Sequence, residues 1–327
     1  MPLLRSIVAM SFLLFSMFFA SCSPNPEDLY NQGHDYYFGA NGKRVNLQKA
    51  VESWKQAAKS GHVIAQYELG VCYRDGDGVD ANKEESAKYF RMAAEKGFAM
   101  AQCNLGICYA NGDGVSKDMS EAVKWFLKAA QQGDSMAQYF LGRCYYNNLG
   151  VDKDINEAIK WYLLAAQQGY AAAQFNLGNI YYTGDGVAKN KAEAAKWFRE
   201  AANQGDARSQ YNLAICYLLG DGVEQDKKKA AKWFREAAEQ GDSSAQYNLG
   251  VCYRDGDGVE QDKTQSANWF LKAAQQGEPE AQYNLAICYY DGAGVTQDQV
   301  ETKKWLQKAA QQGHNGAIEA LKEIEQD

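Results

Sequence analysis

The 327-residue chain contains 34 basic and 41 acidic residues, which gives a formal net charge of −7 at neutral pH. A protein that binds nucleic acid needs a basic surface to neutralise phosphates, so this acidic composition argues against DNA or RNA as a partner. The only basic run of note is the three lysines at residues 227–229. Acidic chains of mixed charge leave protein, peptide and small-molecule ligands open.

The first predicted element is a signal peptide over residues 1–21. The apolar run at residues 6–20 is shorter than the roughly 20 residues that a membrane-spanning helix needs. The run ends in FASC, which resembles the bacterial lipoprotein signal and implies that Cys22 becomes lipidated. Phe19 stands where leucine is usual, so plain secretion and an uncleaved anchor remain alternatives. A polar segment at residues 22–28 would then tether a folded body to the envelope membrane.

The rest of the chain is a tandem repeat. The string LGVCYRDGDGV occurs at residues 69–79 and again at residues 249–259, and this separation of 180 equals five units of 36. Seven units fill residues 65–316 without insertion or deletion. Residues 29–64 form a degenerate copy before them. Residues 317–327 are half a unit, which predicts a C-terminal capping helix.

Each unit is predicted to contain two α-helices. In the first unit, apolar residues at 65, 69, 72 and 73 follow the spacing of one helical face, and the second half of the next unit repeats this pattern from Ala122. The second helices begin with an Asp or Asn that is followed three residues later by Glu or Gln, which is a capping arrangement, and only the unit with Asp226 has Lys229 instead. They end at a glycine every 36 residues. No segment after the signal alternates with period two, so the fold class is all-α, about eight helix-turn-helix repeats.

These units resemble Sel-one-like repeats, which are relatives of tetratricopeptide repeats. The resemblance rests on the A-x-Y-x-L-G opening, the G-x-G-V turn, the Asp cap, the W-F/Y pair and the A-A-x-x-G close. It covers almost the whole chain from residue 29. It implies a right-handed α-solenoid that binds other proteins.

The repeated turn does not read as a ligand site. An EF-hand loop needs Asp or Asn at its fifth place and Gly at its sixth, where this chain has Val79 and Asp80. A phosphate-binding glycine loop follows a strand, whereas a helix precedes this one. Gly78 and its equivalents are therefore predicted to be turn positions with positive φ.

The sequence shows no pattern of residues that is typical of an enzyme active site. His34, His62 and His314 lie in different units, so their spacing predicts no metal site and no nucleophile-base pair. The motif S-x-x-K is absent, which argues against the penicillin hydrolysis ascribed to some relatives. We therefore expect a protein without catalytic activity and without a cofactor, and a cell-wall or β-lactam hydrolase is the weaker alternative.

The cysteines and tryptophans are predicted to be core residues. Six units carry Cys at one position, and Ile180 replaces it in another, which marks a buried apolar site. Equivalent cysteines should lie roughly 10 Å apart, beyond the ~7 Å Cα separation of a disulfide. The tryptophan column, in which Tyr89 replaces Trp in one repeat and Trp54 is displaced in the degenerate copy, has helical spacing with alanine neighbours. Cys103 lies off the shared position and is the one candidate for a reactive thiol.

The candidate partner site lies on the first helices. The third, seventh and tenth places of each unit lie opposite the core face of its first helix, although the third and seventh could equally pack between neighbouring helices. The middle units depart most from the repeat pattern, and Tyr and Arg are residue types that anchor interfaces. This predicts a protein-binding surface, although drift in a redundant array would give the same pattern. The candidate residues are Phe140, Arg143, Tyr146, Asn179, Tyr182, Leu218 and Leu219.

The sequence therefore predicts an exported, lipid-anchored scaffold that binds a protein or peptide. A structural part of an envelope export or secretion machine is a second hypothesis. A host-directed effector or adhesin is a third. Retention at the inner face of the envelope would favour the first two hypotheses, and surface exposure the third.

Overall fold

The computed structural model describes residues 25–324, so the predicted signal peptide and the predicted lipidation site at Cys22 lie outside it. Within these residues the secondary structure consists of seventeen α-helices and no strand. None of the described helices is long and apolar enough to cross a membrane. The helices are α1 (Pro26–Phe38), α2 (Leu47–Lys59), α3 (Val63–Asp75), α4 (Lys83–Glu95), α5 (Ala99–Asn111), α6 (Met119–Gln131), α7 (Ser135–Asn147), α8 (Ile155–Gln167), α9 (Ala171–Thr183), α10 (Lys191–Asn203), α11 (Ala207–Leu219), α12 (Lys227–Glu239), α13 (Ser243–Asp255), α14 (Lys263–Gln275), α15 (Pro279–Asp291), α16 (Gln299–Gln311) and α17 (Asn315–Ile324).

The described residues divide into two compact units, residues 25–137 with 149–152 and residues 138–148 with 153–324. In the first unit, α1 to α6 pack each against the next helix in sequence. In the second unit, α8 to α17 do the same. Tandem helix pairs that stack in sequence order, closed by the shorter helix α17, confirm the predicted all-α solenoid fold.

The predicted helix ends are confirmed. The side chain of Asp118 accepts a hydrogen bond from the amide of Glu121, three residues into α6, at 3.0 Å. Each of the other second helices begins in the same way at an Asp or Asn. Beyond the end of α6, Gly133 has a φ of 92°, a left-handed conformation that glycine adopts without strain.

Small residues let the two helices of a repeat approach closely. Gly70 in α3 faces the ring of Phe90 in α4, and a Cβ on Gly70 would come within 2.6 Å of Cε1 of that ring. Phe90 itself is fully buried. The same glycine-aromatic contact recurs in later repeats, as at Gly250 and Phe270. Close packing of this kind explains why the place is restricted to Gly and Ala.

The repeated turn glycines are structural, as predicted. Gly114 has a φ of 70°, and its Cα lies against the first turn of α4 in the preceding repeat. A Cβ at this position would overlap the backbone of Lys83 and would lie 2.7 Å from the amide nitrogen of Glu84. The turn therefore serves as a contact between repeats, and this contact explains why its letters recur along the chain.

Glutamines connect successive repeats through their side chains. Nε2 of Gln210 donates to the carbonyl of Ala202 in the preceding repeat at 3.2 Å. Oε1 of Gln210 accepts from Nε2 of Gln240 at 2.7 Å. In the repeat that contains Gln66, the residue equivalent to Gln240 is Lys96. The buried Oε1 of Gln66 therefore has no partner among the described residues.

The predicted core positions of the cysteines and tryptophans are largely confirmed. The shared cysteines, together with Ile180, are buried, and burial raises the pKa of the Cys72 thiol to about 12. Most of the tryptophans are buried as well, whereas Trp233 is half-buried. Lysine side chains cover several of the rings, and Nζ of Lys272 lies 3.7 Å from the centroid of Trp269.

Candidate functional site

The predicted partner site belongs to the face of the first helices that carries the third, seventh and tenth residues of each 36-residue repeat, counted from Ala65, which we call the first-helix face. In the second unit a cavity of about 410 Å³ opens between α7, α8 and α9. We call it the Arg143 cavity. It brings together three residues that the sequence selects, namely Arg143, Tyr146 and Asn179. Its full lining is Tyr139, Arg143, Tyr146, Asn147, Tyr162, Asn176, Asn179 and Ile180.

A second, smaller cavity adjoins the first on the same face. It has a volume of about 170 Å³ and lies between α9, α10 and α11. Asn179 lines both cavities, and its Oδ1 accepts a hydrogen bond from Nδ2 of Asn212 at 3.3 Å. Tyr182 lines the smaller cavity. Four of the candidate residues therefore lie along one continuous surface.

Arg143 is the exposed charge of the larger cavity. Its guanidinium carbon lies 5.7 Å from the ring centroid of Tyr139 and 5.9 Å from that of Phe140, so two aromatic faces support it. Within residues 25–324, Arg143 makes no ion pair. Phe140 is half-buried and acts on the cavity through Arg143, since it does not itself line the cavity.

Two of the candidate tyrosines have a structural role as well. The hydroxyl of Tyr146 donates to Oδ2 of Asp185 at 2.6 Å, and the hydroxyl of Tyr182 donates to Oδ2 of Asp221 at 2.8 Å. Both acids belong to the G-D-G turn of the following repeat. The hydrogen bond to Asp185 raises the pKa of Tyr146. Burial and the bond to Asp221 raise the pKa of Tyr182 to about 12.

The structure does not bring Leu218 and Leu219 to the cavities. Leu218 packs against the core of the second unit, and its carbonyl accepts a hydrogen bond from Nε2 of Gln225. Leu219 is 59% exposed and lines neither cavity. The surface that the geometry supports is therefore smaller than the predicted one and centres on Arg143.

The prediction of a reactive thiol at Cys103 is wrong. The side chain is completely buried in α5. Burial, followed by the nearby carboxylate of Asp134, raises the pKa of the Cys103 thiol far above its usual range. A thiol that cannot ionise at neutral pH is a poor nucleophile. Its partner lies 31 residues away in sequence, so no local pattern reveals the contact.

Two of the three histidines prove to be helix caps. Nδ1 of His62 accepts from the amide of Ala65, and Nδ1 of His314 accepts from the amide of Ala317, each at 3.1 Å. The ring of His34 packs against that of Phe38 at a centroid distance of 4.6 Å, with the two planes tilted by 47°. Among the described residues no group of His, Cys, Asp or Glu side chains could hold a metal ion.

Several cavity residues escaped the sequence analysis. Tyr139, Tyr162 and Asn176 also line the Arg143 cavity. Tyr139 stands at a third place and Asn176 has the residue type of most other repeats, so a search for departures from the pattern selects neither. Tyr162 does depart from the pattern, because five other repeats carry Phe there, but the W-F/Y pair treats Phe and Tyr as equivalent at this place. Asn147 also lines the cavity, and its Nδ2 donates to the carbonyl of Arg143 at 3.0 Å. The contacts of Tyr146 with Asp185 and of Tyr182 with Asp221 have one sequence signal, which is the Asp that recurs in the turn of many repeats.

The comparisons with known proteins agree with this architecture. The Sel1 repeat model matches residues 26–62, 63–98, 99–134, 135–170, 171–206, 207–242, 243–278 and 279–314. A comparison with curated proteins gives no match. Among solved structures, a protective antigen with an SLR fold from uropathogenic Escherichia coli is 36% identical, with a TM-score of 0.88. The similarity covers 92% of this chain and 65% of that one.

A Sel1 repeat protein from Oxalobacter formigenes is 33% identical, with a TM-score of 0.69, and the similarity covers 92% of this chain and 88% of that one. Because eight consecutive matches fill residues 26–314, the chain belongs to the Sel1 repeat family. Proteins of this family generally mediate protein–protein interactions, and they are typically scaffolds rather than catalysts.

Proposed function

We propose that this protein is a non-catalytic scaffold of the bacterial envelope, which binds a segment of another protein on the first-helix face of its second unit. The observation that carries the proposal is the surface shared by Arg143, Tyr146, Asn179 and Tyr182, where two cavities adjoin at Asn179. Tyr and Arg are among the residue types that dominate the binding energy at protein interfaces, where they commonly lie in or beside concave surfaces.

The proposed location rests on the N-terminal sequence. An apolar run followed by FASC supports export and attachment of lipid at Cys22. A single acyl chain binds a membrane only weakly, so stable anchoring requires the additional chains of a lipoprotein. A host-directed effector or adhesin is the second candidate, and the 36% identity to a protective antigen of uropathogenic E. coli favours it.

Crosslinking in intact envelopes tests the binding proposal. The wild-type chain is purified beside Arg143→Glu and beside Lys228→Glu, a control that reverses an exposed charge on the second helix α12. We expect one partner that co-purifies with the wild type and with Lys228→Glu and is lost in Arg143→Glu. Equal recovery from all three proteins would contradict a binding site at Arg143.

Metabolic labelling tests the anchor separately. Labelled palmitate should enter the wild-type protein and not Cys22→Ser, whereas Ser23→Ala should label normally. Protease treatment of intact cells then separates the two candidate functions, because a displayed adhesin is cleaved and a periplasmic scaffold is protected. Absence of label in the wild type would reject the lipid anchor without touching the binding proposal.

A further inference from the structure

The arginines of the first-helix face differ in their charge partners. Arg74 and Arg254 occupy the tenth place of their repeats. Each donates two hydrogen bonds to the next residue, Asp75 or Asp255, at 2.8–2.9 Å. Their charges are neutralised within the repeat. Arg143 makes no such pair within residues 25–324, so its charge is available to a ligand.

Two lysines extend the positive charge along the same surface. Nζ of Lys153 lies 5.5 Å from the ring centroid of Tyr146, and Nζ of Lys189 lies 5.8 Å from that of Tyr182. Both lysines are exposed, and neither makes an ion pair in the described part of the chain. The later repeats carry glutamine at this place, and each donates to a backbone carbonyl: Gln225, Gln261 and Gln297.

Two carboxylates beside these groups already have other partners. Asp185 accepts the hydrogen bond from Tyr146, and Asp221 accepts from Tyr182 and pairs with Lys191, although the charge of Lys189 also acts on Asp221. Arg143, Lys153 and Lys189 are thus three basic groups without an ion pair in residues 25–324, on a chain whose net charge is −7.

We propose that the Arg143 cavity binds a carboxylate of an acidic peptide segment, and that Lys153 and Lys189 attract further acidic side chains of the same segment. This inference rests on the proposed protein-binding function and names the chemistry of the partner. The planar guanidinium matches a carboxylate through two parallel hydrogen bonds, and the rings of Tyr139 and Phe140 lie 5.7 and 5.9 Å from its carbon.

The spacing of the repeats suggests a spacing for the ligand. Successive first helices should lie roughly 10 Å apart, given the usual packing distance of helices. An extended chain advances about 3.3–3.6 Å per residue. Acidic side chains about three residues apart in the ligand would therefore reach Lys153, beside Tyr146, and Lys189, beside Tyr182.

Selection from a random peptide library displayed on phage tests the inference. The library is selected on the full chain and on Arg143→Gln, Arg143→Lys and Arg143→Glu. Arg44→Gln serves as the matched control, because Arg44 is an exposed arginine in the loop between α1 and α2 without an ion pair in the described residues. Thermal unfolding of each variant checks that it folds.

The wild type and Arg44→Gln should enrich peptides rich in Asp and Glu. For a synthetic peptide so selected, Arg143→Gln should weaken binding about 10- to 100-fold, which corresponds to the loss of a charge-assisted contact. Arg143→Lys should retain part of the affinity, and Arg143→Glu should favour basic peptides instead.

The outcomes separate this inference from the proposed function. Peptides that depend on Asn179 but show no acidic preference, and that tolerate Arg143→Gln, would overturn the carboxylate site while the binding face stands. If no selected peptide responds to any substitution on the first-helix face, both proposals fail.

Discussion

The hydroxyl of Tyr182 donates a hydrogen bond over 2.8 Å to Asp221, which connects the first helix of one repeat to the turn of the next. Tyr146 and Asp185 repeat this contact one unit earlier. The same tyrosines border the two cavities. Side chains that connect the repeats therefore also shape the candidate binding surface, so a substitution there changes stability as well as binding.

The Tyr182 contact predicts a dependence of stability on pH. The pKa of Tyr182 is raised to about 12 in the folded protein, against 10.0 in the reference state. The neutral hydroxyl therefore stabilises the fold below pH 10, and this contribution is lost as the pH rises through about 12. Tyr182→Phe should be less stable at neutral pH, by about 1–3 kcal/mol. The difference from the wild type should shrink above pH 10.

Urea unfolding at several pH values measures this difference. Tyr290→Phe is the matched control. Tyr290 occupies the tenth place of the last full repeat, and no turn Asp of a following repeat lies within residues 25–324 to accept a bond from its hydroxyl. Its unfolding free energy should equal that of the wild type across the range. A Tyr182→Phe protein as stable as the wild type at neutral pH would show that the bond contributes nothing.

Lys96→Gln is predicted to stabilise the protein. Lys96 donates to the carbonyl of Gly61 at 2.8 Å but leaves the buried Oε1 of Gln66 without a partner among the described residues. At the equivalent place, Gln276 donates both to the carbonyl of Gly241 and to Oε1 of Gln246. Glutamine at position 96 should therefore satisfy both acceptors and add about 1 kcal/mol to the free energy of unfolding.

The reverse substitution provides the control for that prediction. Gln132 donates to Oε1 of Gln102 at 2.7 Å, and Gln132→Lys would recreate the unsatisfied acceptor. Chemical denaturation should show a loss of about 1–3 kcal/mol. If both substitutions shift the midpoint in the same direction, the side-chain contact does not decide stability here.

The turn glycines predict a contrast between two similar substitutions. Gly114 and Gly133 both have positive φ, so alanine at either costs about 1–2 kcal/mol in backbone strain. A Cβ on Gly133 would meet nothing within 4 Å, whereas one on Gly114 would overlap the backbone of Lys83. Gly114→Ala should therefore cost a further ~1–3 kcal/mol in denaturant unfolding. Equal losses of unfolding free energy in Gly114→Ala and Gly133→Ala would contradict the contact between the turn and the preceding repeat.

The thiols are predicted to be inert in the native state. The seven described cysteines are all buried, and burial raises the pKa of each thiol. A thiol reagent added to native Cys22→Ser protein at neutral pH should therefore label none of them, and all seven should react in denaturant. Fast labelling of Cys103 in the native protein would contradict the burial of its thiol.

Periodic features of this fold could be predicted from the sequence, because each depends on residues close together in the chain. Helix faces repeat within about four residues, and the cap of Asp118 reaches Glu121. The glutamine contacts could be predicted as well, since the same letter recurs in every full repeat. These features determine the helices and their order of stacking.

Contacts between different places of successive repeats were harder to predict. Tyr146 and Asp185 lie 39 residues apart, and the pairing depends on how far one repeat is displaced against the next. Leu218 shares the tenth place with Tyr146 but packs against the core. Exposure and cavities arise from this displacement, so the sequence selected four residues that line the two cavities but not the full lining of those cavities.

The most direct test of the central claim is photo-crosslinking in cells from two positions of the otherwise native chain. A photoreactive amino acid replaces Asn179, where the two cavities adjoin, or Lys228, which is exposed on α12. We predict one discrete adduct with a partner protein from position 179, absent from position 228. Adduct patterns that are identical at both positions, or no adduct at position 179, would contradict a binding surface centred on Arg143.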